Sequence, residues 1–143
     1  MRHQVKKHRL NKPADQRKAL LRSLATSLFL HGEITTTLAR AKALKPYAEH
    51  IITLAKKGDL HSRRSALKYI FDQETTRFIN PVDGTVFESI EGVTEKVVAE
   101  TILRKLFNSI AKEYNGRNGG YTRIYKMPPR RGDASEMGLI QLV

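Results

Sequence analysis

Between Pro13 and Gly32 the apolar residues Leu20, Leu21, Leu24, Ala25, Leu28 and Phe29 recur at helical spacing, and Arg17, Lys18 and Arg22 lie off that stripe. A helix with one apolar face must bury it against something else, so this segment dictates a packed, multi-element fold. His31-Gly32 supplies the stop, because glycine adopts the left-handed backbone that ends helices. The β-branched run Glu33–Thr37 follows as a short strand, and Thr37 is placed to cap the next helix. LARAKALKPYAEHIITLAKKG then sets Leu44, Tyr47, Ala48, Ile51, Leu54 and Ala55 on one face. Pro46 removes one backbone donor and disfavours helical geometry at Lys45, so a kink or break is expected there. Asp59 caps a third helix carrying Leu60, Leu67, Ile70 and Phe71.

From Thr75 to Glu95 the periodicity fails, and Asn-Pro and Asp-Gly signals predict an exposed loop with a small hairpin about Asp83-Gly84. Val98, Ile102, Leu106, Phe107, Ile110 and Tyr114 predict a fourth helix, capped by Thr94 and closed by Asn115-Gly116. YTRIYKM and GLIQLV are the remaining strands. The expected class is α+β, with helices packed on one face of a small mixed sheet and an extended basic N-terminal tail. The expected organisation is a tail over residues 1–12 and a single globular domain over 13–143, with an acidic loop insertion at about 75–94.

Charge narrows the function. The 143 residues hold 26 Lys and Arg against 14 Asp and Glu, a net +12. Residues 1–45 alone carry eleven of these cations against Asp15 and Glu33. Such an excess opposes compaction unless an anionic partner neutralises it, so polyanions lead the candidate partners. Cysteine is absent, which excludes disulfides and thiolate chemistry and fits a reducing compartment. No apolar run reaches the roughly 18 residues of a membrane helix, and the first ten residues lack a signal-peptide core. A cytoplasmic location is expected.

Catalytic constellations find no support. The five histidines His3, His8, His31, His50 and His61 include no helical pair with a matching carboxylate, so no metal is expected. Asp72 with Glu74, and Asp133 with Glu136, read as surface acids. There is no Gly-x-Ser-x-Gly elbow, and Gly116 to Gly120 lacks the Gly-Lys-Ser/Thr ending of a phosphate loop. Arg131-Gly132-Asp133 reads as turn chemistry, since nothing indicates export. Basic residues beside aromatics fit nucleic acid better. On the strand from Tyr121, that residue shares a face with Arg123 and Tyr125, where arginine can grip phosphate and tyrosine can stack. The tyrosines serve the core equally well.

The segments RHQVKKHRLNKPADQRKALLRSLATSL, HGEITTTLARAKALKPYAEHIITLAKKGDLHSRR, GGYTRI and RRGD, in that order, resemble the family of bacterial ribosomal protein seventeen of the large subunit, along the whole chain. The resemblance implies a non-enzymatic, cofactor-free constituent of the large subunit. It also implies binding to 23S-type rRNA near the polypeptide exit tunnel, beside neighbouring large-subunit proteins such as the twenty-second and thirty-second, in a bacterium or organelle. The stretch from Thr75 to Thr94 is longer than in many relatives, and its acidity argues against an rRNA grip there.

On this reading the rRNA-binding candidates in the tail are Arg2, His3, Lys6, Lys7, His8, Arg9 and Lys12. Arg17, Lys18 and Arg22 follow on the first helix, Arg40, Lys42 and Lys45 on the second, Arg63 and Arg64 on the third, and Tyr121, Arg123, Arg130 and Arg131 on the last hairpin. Neutralising roughly 6 to 10 phosphates would lower affinity by about 10³ to 10⁵ between 50 and 200 mM salt. The alternative is a free-standing nucleic-acid-binding regulator. That protein would concentrate base-reading residues on one recognition helix, whereas here the cations scatter over tail, helices and hairpin.

Overall fold

The computed structural model describes residues 8–89 and 97–143. Helix α1, Ala14–His31, begins directly after Pro13 and ends at Gly32, whose φ of 82° is the left-handed stop expected of it. Strand β1, Glu33–Thr37, leads into α2, Leu38–Lys57. Thr37 occupies the cap position without a side-chain cap bond. The first backbone amide of α2 is held instead by the Glu136 carbonyl, at 2.9 Å. The expected interruption at Pro46 does not occur as a break: α2 runs through it. Buried Ala43, Leu44, Ala48, Ile51 and Ile52 surround the proline in sequence, so tertiary packing holds a helix that loses one backbone bond.

Helix α3, Leu60–Ala66, is capped by Asp59, whose carboxylate accepts the Ser62 amide at 3.1 Å. It is shorter than its apolar pattern implied. Leu60 is exposed, and Leu67 and Phe71 lie beyond the helix while Ile70 is buried. The small hairpin expected about Asp83-Gly84 is present, with β2, Glu74–Ile79, and β3, Val86–Phe87, as its strands. On its other side β2 pairs with β4, Val98–Thr101.

The fourth helix is therefore corrected. Val98 belongs to a strand, and the expected cap Thr94 lies outside the described residues. The cap is Thr101, whose hydroxyl accepts the Arg104 amide. The helical stretch comprises α4, Ile102–Lys105, a π-helical turn, Leu106–Ile110, and α5, Ala111–Glu113. Strands β5, Thr122–Met127, and β6, Met137–Leu142, close the chain.

The α+β class holds, with one refinement. The described strands form two three-stranded sheets, β1-β6-β5 and β3-β2-β4, and their ladders are antiparallel rather than mixed. Ile140 of β6 is fully buried with Leu28 and Phe29 of α1, Leu44, Ile51 and Ile52 of α2, and Ile102, Leu106 and Ile110 of the last helical stretch. Burying each such side chain is worth about 1.5 to 3 kcal/mol, so this interior is the main source of stability. Gly138 lets α2 sit close on the sheet: a Cβ there would stand 3.3 Å from Leu38 Cδ1.

Candidate nucleic-acid interface

Two hollows share α2 as a wall. The first, about 370 Å³, is lined by His8, by Arg17 and Leu21 of α1, and by Ala43, Pro46, Tyr47 and His50 of α2. It brings the end of the tail onto the two helices. Ahead of α1 the chain folds into a turn, with the Lys12 amide donating to the Arg9 carbonyl at 3.2 Å and Leu10 and Asn11 at positive φ. The second hollow lies between Leu38, at the start of α2, and Lys126, Met127, Pro129, Ala134, Glu136 and Met137 of the last hairpin. Arg40, Lys42 and Lys45 belong to the N-terminal half of α2, which both hollows border.

Tail end, α1, α2 and hairpin thus contribute cations to adjoining surfaces. Among the described residues the ion pairs are Arg77–Glu88 and Arg130–Asp133. No carboxylate therefore neutralises Arg9, Lys12, Arg17, Lys18, Arg40, Lys42 or Lys45 there. Positive charge left without internal counter-charge attracts a polyanion. Arg2, His3, Lys6 and Lys7 lie outside the described residues.

Several candidates are used differently. Arg22 turns inward: its Nη2 donates to the carbonyls of Ile70 at 2.9 Å and Leu67 at 3.4 Å, and its Cζ stands 4.1 Å from the Phe71 ring centroid. One turn along α1, the Thr26 hydroxyl accepts the Phe71 amide at 2.9 Å. The pair clamps the segment after α3, and this guanidinium is committed to the fold. Arg130 is committed as well, forking onto Asp133 through Nε at 2.9 Å and Nη2 at 2.6 Å. That fork, with the Ser135 hydroxyl and amide, holds the Asp133 carboxyl well below the usual carboxylate range. The Arg-Gly-Asp triplet is therefore turn chemistry, as expected, and Arg131 is the arginine of the pair that no carboxylate among the described residues engages.

Tyr121 is in the core, 4% exposed. Its ring packs edge-on to Tyr114 at 5.2 Å, and its hydroxyl donates to the Arg117 carbonyl at 3.1 Å and accepts from Lys56 Nζ at 3.3 Å. It cannot stack on a base. Tyr125, by contrast, is 44% exposed, beside exposed Arg123. Thr122 is buried, donating to Glu49 of α2 at 3.1 Å, so β5 turns that face inward and presents Arg123 and Tyr125 on the other.

Arg63 and Arg64, in the last turn of α3, line neither of these two hollows. Arg63 lies over Phe107, with Cζ 5.6 Å from the ring centroid, and shares a hollow with Arg104. Sequence reasoning missed Lys126 and Arg104. Lys126 is exposed at the end of β5 beside Pro129.

No group of three or more His, Asp or Glu side chains among the described residues is placed to hold a metal. No helix among them is long and apolar enough to cross a membrane. The molecule is thus an α+β protein with a cation-rich, carboxylate-poor surface around its first two helices. A family model described as Ribosomal protein L17 matches residues 20–143. The large ribosomal subunit protein bL17 of Clostridium acetobutylicum is 46% identical over 135 residues, covering 94% of this chain and 95% of that protein. Those of Streptococcus pyogenes serotype M5 and Streptococcus equi subsp. zooepidemicus are each 45% identical, covering 94% of this chain and 97% of theirs. The chain belongs to the ribosomal protein L17 family, a family of ribosomal constituents and not of enzymes.

Proposed function

We propose that the protein is a structural constituent of the large ribosomal subunit that binds and stabilises 23S-type rRNA near the polypeptide exit tunnel, in contact with neighbouring large-subunit proteins. The observation that carries this reading is the row of cations at Arg9, Lys12, Arg17, Lys18, Arg40, Lys42 and Lys45, which no carboxylate among the described residues pairs. The large-subunit assignment is supported by the relatives' names, and the tunnel location by the family resemblance.

The work is charge neutralisation and shape recognition. The tail threads between rRNA segments, the starts of α1 and α2 grip phosphates, and Arg123, Tyr125, Lys126 and Arg131 hold a further strand. Contacts to phosphate fix position and carry no sequence information, so specificity comes from the folded shape of the RNA. A photo-crosslinker introduced at Lys42 tests the reading in assembled subunits. Crosslinks to 23S-type rRNA beside the tunnel exit are expected, and crosslinks to protein alone would contradict it.

A further inference from the structure

Sharing no lining residue with the two hollows, α3, the β2-β3 hairpin and α4 meet around a third, of about 280 Å³, lined by Arg63, Ile79, Asn80, Pro81, Arg104 and Asn108. We infer that this hollow is a binding site for a single phosphate group, held between the guanidinium groups of Arg63 and Arg104 and the amide of Asn108.

The walls contain two cations and no carboxylate. Two arginines facing one hollow repel each other unless an anion lies between them, and guanidinium groups match phosphate oxygens in geometry as well as charge. Asp83, in the adjoining turn, is engaged by the Asn80 amide at 3.3 Å, while Asn80 Oδ1 accepts the Val82 amide at 2.9 Å. Asn80 therefore shapes the wall and leaves the ligand to its neighbours.

Arg104 supplies the second observation. Its Nη1 is buried and has no hydrogen-bond partner among the described residues. A buried charged donor without an acceptor is costly, and an anion seated in the hollow against the same guanidinium offsets that cost. The local backbone fits the same purpose. Asn108 sits in the π-helical turn Leu106–Ile110, an irregularity frequent at functional sites. Phe107 in that turn holds the Arg63 guanidinium over its ring. The hollow thus has one wall shaped by the β2-β3 hairpin and its donors positioned by a capped α4, the π-helical turn and an aromatic shelf.

The inference rests on the rRNA-binding reading only for the source of the group: an RNA backbone supplies it if that reading is right, and free phosphate if it is not. The test uses the full chain with ¹⁵N-labelled arginine, titrated with inorganic phosphate and, at matched ionic strength, with chloride. The Arg63 and Arg104 Nε–H resonances should shift saturably with phosphate and not with chloride, and phosphate should raise the melting temperature of the unsubstituted protein. Arg104→Gln should weaken the phosphate response about tenfold, as expected for loss of one charge-assisted bond. Arg63→Gln serves as the second variant should the first not fold. Competition by an RNA duplex without terminal phosphates assigns the group to an RNA backbone, and failure to compete assigns it to free phosphate. Equal responses to phosphate and chloride, or an Arg104→Gln protein that titrates like the original, would overturn the site. Subunit association is a separate readout, so loss of the rRNA reading leaves this result interpretable.

Discussion

Arg22 donates a 2.9 Å hydrogen bond to the Ile70 carbonyl across 48 residues of sequence, joining the middle of α1 to the turn that follows α3. A cation that looked like an RNA contact is instead a tether, stacked on Phe71 and backed by Thr26. Arg22→Met should therefore cost about 1 to 3 kcal/mol of stability, read as a lowered denaturant midpoint. Its RNA affinity when folded should be unchanged. Loss of affinity with full stability would return Arg22 to the interface.

Tyr121 and Tyr125 should separate cleanly. Tyr121→Ala leaves a cavity beside Tyr114 and strips partners from Lys56, at a cost of about 3 to 5 kcal/mol, as for other large aromatic truncations. Tyr125→Ala removes an exposed ring and should change stability by no more than about 0.5 kcal/mol, while weakening RNA binding. Thermal melts and filter binding on the two variants decide the assignment.

Salt dependence measures the phosphate contacts directly. Replacing Arg17 and Lys42 by glutamine should each reduce the slope of log affinity against log salt by about 1, with similar losses on unrelated RNA sequences. An unchanged slope would mean that these side chains are merely solvated.

Alkaline stability should report Tyr47. Burial, opposed by Arg22 and reinforced by Tyr69, pushes its pKa from 10.0 up to about 12. Because the folded value is raised, the stabilising contribution is complete below pH 10 and is lost as pH rises towards 12. Tyr47→Phe should flatten that part of the stability profile, measured by denaturant unfolding across the range.

The helix-strand-helix start of the chain was legible because its punctuation is local: Pro13, Gly32, Asp59 and a stripe of leucines each act within one turn. The second sheet was not. Val98 stands one helical turn before Ile102, so the apolar stripe seemed to begin four residues early, while the pairing partner that makes Val98–Thr101 a strand lies in β2. Pro46 misled in the opposite sense, since packing on both sides of it outweighs one missing bond. For the proposed interface, composition and position singled out the basic starts of α1 and α2 as candidates. They could not distinguish Arg22 and Arg130, whose acceptors are a distant carbonyl and a carboxylate three residues on, from arginines left without an acceptor.

The central claim is tested most directly by sucrose-gradient sedimentation of tagged protein from cells. Stoichiometric migration with large subunits that persists through a moderate salt wash is the expected result. Protein found only at the top of the gradient would contradict it.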